Sequence, residues 1–165
     1  MIGKLLLSVG LAATLACASP AYAQDKASQK FIKEAIEGNL AEVQVGRLAQ
    51  QKGQSEGVKS FGQMLATDHG QANQKAIQVA SQIGVAPPTE PNAKQKKVYD
   101  KLSKLSGDQF DRTFASEMVK DHKKDIKEFE KAAKTGSGPA PMFANETLPT
   151  LRKHLETAQA LAKVK

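Results

Sequence analysis

Apolar residues recur at steps of three, four and seven along most of the chain, the period of helices with one buried face. From about Ala27 to Lys52 the stripe is Phe31, Ala35, Glu42, Val45 and Ala49, with Glu42 as its one polar member. Gly53-Gln54-Ser55 reads as a tight turn, and Ser55 as the N-cap of a second helix running to about Ile83. Its stripe is Val58, Leu65, Ala72, Ala76, Val79 and Ile83 with Phe61 alongside, and the residue that completes the series is His69. Gly84, Pro87 and Pro88 stop that helix. A short helix from Lys94 to Leu105 leads to Ser106 and Gln109, whose capping-box spacing opens a third long helix. There the stripe is Ala115, Met118, Val119, Ile126, Phe129 and Ala133, and the completing residue is again a histidine, His122.

Thr135-Gly136-Ser137-Gly138-Pro139 ends the third helix and opens a loop expected to run to about Glu146. A last helix, Thr147 to about Val164, would carry Pro149 in its first turn, where a missing N–H costs nothing. Leu148, Leu151, Leu155, Ala158 and Ala162 form its buried face, with His154 on the edge. Long helices joined by short connections predict an all-α, up-down-up-down four-helix bundle, with a short extra helix before the third long one.

Composition agrees with this and adds a compartment. Of 165 residues 40% are apolar but only 5% aromatic, with no Trp, which is helix-forming usage and excludes a β-sandwich. Met1 to Ala23 reads as a cleaved secretory signal: Lys4, an apolar run from Leu5 to Ala18, and the small-x-small site Ala21-Tyr22-Ala23. Residues 24–165 then form one domain, exported and periplasmic. Cys17 is the only cysteine and falls inside the signal, so the domain would have no disulfide or thiol chemistry. A lipoprotein anchor at Cys17 is the rival reading, but Thr14 stands where a lipobox prefers an aliphatic residue.

The net charge of +7 comes from 21 Lys and only three Arg, dispersed among Gln and Glu. Nucleic-acid grooves use Arg and stacking aromatics, so no nucleic-acid partner is expected. The run Lys94, Lys96, Lys97, Lys101 and Lys104 reads as a solvated helix face with scope for weak contact with anionic envelope components. A monomer or weak dimer is expected. No nucleophile elbow, phosphate loop or Cys/His pair is present, so no catalytic residue is assigned.

The histidines are the candidate chemistry. Six residues separate Phe61 from Asp68-His69 and Phe114 from Asp121-His122, a repeat offset by 53 that suggests duplication of a helix pair. His69 is 14 residues from Ile83 and His122 14 from Asp108, so with antiparallel neighbours both lie roughly 21 Å from their shared connection. Glu42 is offset from that level by roughly 6 Å. Glu42, His69, His122 and His154, one per helix, form a candidate site for Fe, Mn, Zn or Cu. The competing reading is hydrogen-bonded core histidines. Asp68 and Asp121 point about 100° from their histidines, to serve as rim ligands, to orient an imidazole on an adjacent helix, or to form interhelical ion pairs. Glu117 lies off the inward stripe, and Met64 and Met118 read as core filler.

The signal, Gly38-Asn39-Leu40-Ala41-Glu42-Val43 and the two blocks Phe61 to His69 and Phe110 to His122 together resemble the bacterial family called domain of unknown function 4142. The resemblance covers roughly Lys30 to Leu161 and implies an exported, ferritin-like bundle with no established activity. Ferritin-like relatives hold two metals with a Glu three residues before each His. Here Ala66 and Val119 occupy those places, so di-iron chemistry is not expected. Asn73 and Ile126 likewise break the hemerythrin spacing. The expectation is a non-catalytic periplasmic binding or stress-associated accessory protein. Its rivals are a transition-metal protein for storage, buffering or oxidation, and an envelope-interaction domain using the Lys-rich face.

Overall fold

The computed structural model describes the backbone of residues 20–163 and the side chains of 26–163. Most of the expected signal, with Thr14 and Cys17, lies outside the described residues. Five helices follow: α1 Pro20–Lys52, α2 Glu56–Gln82, α3 Ala93–Ser103, α4 Gly107–Ala133 and α5 Pro139–Lys163. No helix among the described residues is long and apolar enough to cross a membrane.

The all-α bundle with a short helix before the third long one is the expected architecture. It departs from expectation in the direction of α4. The Asp111 carboxylate accepts the N–H groups of Gln54 and Ser55 at 2.9 and 2.8 Å, which places the start of α4 beside the start of α2. At the opposite end Ala76 and Ala80 of α2 pack with Phe129 and Ala132 of α4. So α2 and α4 run parallel, and the order is up-down-down-up. The reason is α3, which carries the chain back along the bundle. Asn92 and Gln95 form a full capping box at its start, and Lys52 Nζ donates to the Ser103 and Leu105 carbonyls at its end, at 2.6 and 3.1 Å. The capping box expected at Ser106 does not form; Gly107 takes a left-handed φ of 59° and Asp111 turns instead to the α1–α2 corner.

Ser55 caps α2 as expected, accepting the Val58 N–H. The expected loop to Glu146 is helix: α5 starts at Pro139, and Pro149 lies inside it. Ala140, Phe143, Ala144, Leu148 and Leu151 continue the helical period and are all buried, and that burial outweighs the backbone bond lost at Pro149. Thr147 Oγ1 and Asn145 Nδ2 donate to the Phe143 and Pro141 carbonyls just ahead of the break.

Helices α1 and α2 meet backbone to backbone. A Cβ on Gly62 would lie 2.5 Å from the Gly46 carbonyl oxygen and 2.8 Å from Ala49 Cβ, atoms that cannot yield. Gly62→Ala is therefore expected to cost about 1–3 kcal/mol of stability, read from urea unfolding. An unchanged midpoint would contradict the close approach.

Two apolar cores fill the bundle. One, around Ile32, Ile36, Ala76, Phe129 and Phe143, occupies the end where α4 finishes. The other, around Leu48, Phe61, Leu65, Phe114 and Ala158, occupies the opposite end. Between them lies a buried polar layer: Asn39, Glu42, His69, His122 and His154.

Candidate metal centre

All three histidines of the chain meet in this layer. One ring nitrogen from each of His69, His122 and His154 lies within 4.8 Å of the other two, and all three residues are buried. His69 and His122 sit near the midpoints of helices of equal length, so they share a level whether α2 and α4 are parallel or antiparallel. The repeated motif falls on α2 and α4, two long helices each followed by a further helix.

Each ring has an oxygen on its outer side. His69 Nδ1 donates to Asn39 Oδ1 at 2.9 Å, His122 Nδ1 to the Met118 carbonyl at 3.0 Å, and His154 Nε2 to Asp68 Oδ2 at 2.9 Å. An oxygen acceptor requires an N–H, so each neutral ring holds its one proton outward. The inward nitrogens, His69 Nε2, His122 Nε2 and His154 Nδ1, are then bare lone pairs. His122 Nε2 and His154 Nδ1 face each other at 3.3 Å, and His69 Nε2 is buried with no hydrogen-bond partner.

The rings are also kept neutral. Burial drives His69 well below the usual histidine range, reinforced by His122 and His154, and holds His122 down to about 4 despite the Met118 carbonyl and Asp121. His154 is lowered as well, burial outweighing its bond to Asp68. Phe61 closes the cluster from the apolar side, with ring centroids 6.5 and 6.0 Å from His122 and His154.

Glu42 is buried in the same layer but stands outside the three-nitrogen group. Burial first, then the charge and hydrogen bond of Asp121, hold its carboxyl well above the carboxylate range, and Oε2 has no partner. It lines a cavity of about 160 Å³ with Val45, Val98, Met118 and Asp121. The residue of α1 that reaches a histidine is Asn39, three positions earlier, which the sequence reading missed. The signal was present in the roughly 6 Å level mismatch of Glu42, most of which a step of three residues removes. Of the two aspartates, Asp68 orients an imidazole from another helix, whereas Asp121 faces Glu42 and Asp125 rather than a ring nitrogen. In the lysine run, Lys96 pairs with Glu90 and Lys101 with Glu117, both at 2.8 Å.

Fold and site together define an all-helical bundle with a three-histidine cluster between two apolar cores. Within that class, the chain belongs to the family described as Domain of unknown function (DUF4142), which it matches over residues 12–161. The fold is shared with the crystal structure of a DUF305 fragment from Deinococcus radiodurans, at a TM-score of 0.73 and 13% identity, covering 84% of this chain and 97% of that one. Comparison with curated proteins finds no match.

Proposed function

We propose that the protein binds one transition-metal ion per chain through His69 Nε2, His122 Nε2 and His154 Nδ1, as an exported metal-binding or buffering protein. The observation that carries this reading is the convergence of three lone pairs whose outer N–H groups are all fixed by oxygens, the arrangement that orients metal-bound imidazoles. Nitrogens about 2.0–2.1 Å from a tetrahedral ion are about 3.4 Å apart, close to the 3.3 Å between His122 and His154. An all-imidazole set suits zinc or copper better than manganese, which prefers oxygen ligands. Export is supported by the signal-like pattern of Met1 to Ala23.

Elemental analysis of tag-free protein reconstituted with zinc or copper tests the proposal. The expected result is one ion per chain, lost in His69→Ala/His122→Ala; an equal content in both proteins would refute it. Asp68→Asn should keep the stoichiometry but weaken affinity by about 10–100-fold, because the amide no longer fixes the His154 proton outward. Competition titration against a chelating dye measures this, and an unchanged affinity would remove Asp68 from the site.

A further inference from the structure

A cleft of about 200 Å³ between α1 and α4 ends on Asn39 and His69. Four carboxylates line it, Glu34 and Glu37 from α1 and Asp125 and Glu128 from α4, against a single cation, Lys124. Lys124 bonds Asp125 at 3.2 Å and offsets that one charge. Glu34 stays largely exposed, 3.8 Å from Lys30, and Glu37 accepts from Asn92 Nδ2 at 3.0 Å. In a chain of net charge +7 this is a local reversal of sign. Asn39 and His69 among its lining residues each carry a buried polar atom without a hydrogen-bond partner, Asn39 Nδ2 and His69 Nε2, the latter a lone pair suited to a cation and turned toward the other two rings.

Resting on the three-histidine reading, we propose that this cleft is the inlet through which a hydrated divalent cation reaches the histidines, with Glu34, Glu37 and Glu128 drawing it in. Carboxylates along a low-dielectric cleft focus the field and raise the local cation concentration, which changes the rate of capture rather than the final affinity. They sit outside the ligand set, so they act on arrival and departure alike. Gly38 lies on the same wall, where an added Cβ would meet only Gln95 Nε2 at 3.8 Å and Asp125 Oδ2 at 3.9 Å. A larger side chain there narrows the passage without touching a histidine.

The test is stopped-flow uptake of Co²⁺ by the metal-free protein, followed by cobalt absorption. Glu34→Gln/Glu37→Gln/Glu128→Gln should slow uptake about tenfold and flatten its salt dependence, leaving the final stoichiometry and spectrum unchanged. Gly38→Leu should slow uptake at every salt concentration with the slope kept. Glu56→Gln/Glu146→Gln, which removes exposed carboxylates away from the cleft, should match the wild type. Wild-type rates in both the triple variant and Gly38→Leu would overturn the inlet while leaving the histidine site standing. No cobalt uptake by the wild type would overturn the site and the inlet together.

Discussion

Chelation lowers the melting temperature of the metal-loaded wild-type protein by roughly 10 °C or more and leaves His69→Ala/His122→Ala unmoved. A ligand held only by the folded state stabilises it by mass action, by about 4 kcal/mol at a thousandfold excess over Kd. For a domain of this size each kcal/mol moves the midpoint by a few degrees. The effect is large because the ligands come from three separate helices, α2, α4 and α5, which the unfolded chain does not hold together. The double variant has lower stability of its own, since two buried rings are truncated to small side chains, that of His122 beside Phe61. The comparison is therefore made within each protein, with and without chelator. A wild-type midpoint unmoved by metal and chelator alike would leave the histidines as hydrogen-bonded core residues.

Acid acts on the metal-free protein through the same rings. His122 is held down to about 4 in the folded state against an ordinary value of 6.5. Below 6.5 the unfolded chain takes up a proton that the folded ring refuses, so this contribution is complete above 6.5 and lost as pH falls to about 4. For His122 alone the loss is about 3 kcal/mol. Asp125 works the other way: burial and the Asp121 charge raise it from 3.8 to about 7, so the folded state holds a proton that the unfolded chain lacks between those values. Glu42, raised for the same reasons, shares that sign. The cleanest readout is the difference between wild type and His122→Leu in urea unfolding with chelator present. Moving from pH 7 to pH 4 should shift that difference by about 3 kcal/mol in favour of the variant. A constant difference across the range would show that His122 titrates as an ordinary histidine.

The period of apolar residues located all five helices to within a few residues at most ends, because burial of one face decides those segments. It misplaced the start of α5. Pro149 looked like a first-turn residue, yet Ala140, Phe143 and Ala144 already carried the helical spacing and are buried. Helix direction was harder to read. Nothing local distinguishes a linker that turns the chain back at once from one in which α3 crosses the bundle first, and that choice depends on contacts such as Lys52 to the end of α3. The meeting of His69 and His122 was legible because both complete apolar stripes, whereas His154 stood only at the edge of its helix's buried face. Their tautomers were not, since these are set by Asn39, the Met118 carbonyl and Asp68, partners that only the packed helices bring within reach.

The central claim is most directly tested by anomalous diffraction at the zinc edge from crystals of the zinc-loaded protein. A single peak about 2.0–2.1 Å from His69 Nε2, His122 Nε2 and His154 Nδ1 is the predicted result. A peak at Glu42 and Asp121 instead, or none in the polar layer, would contradict it.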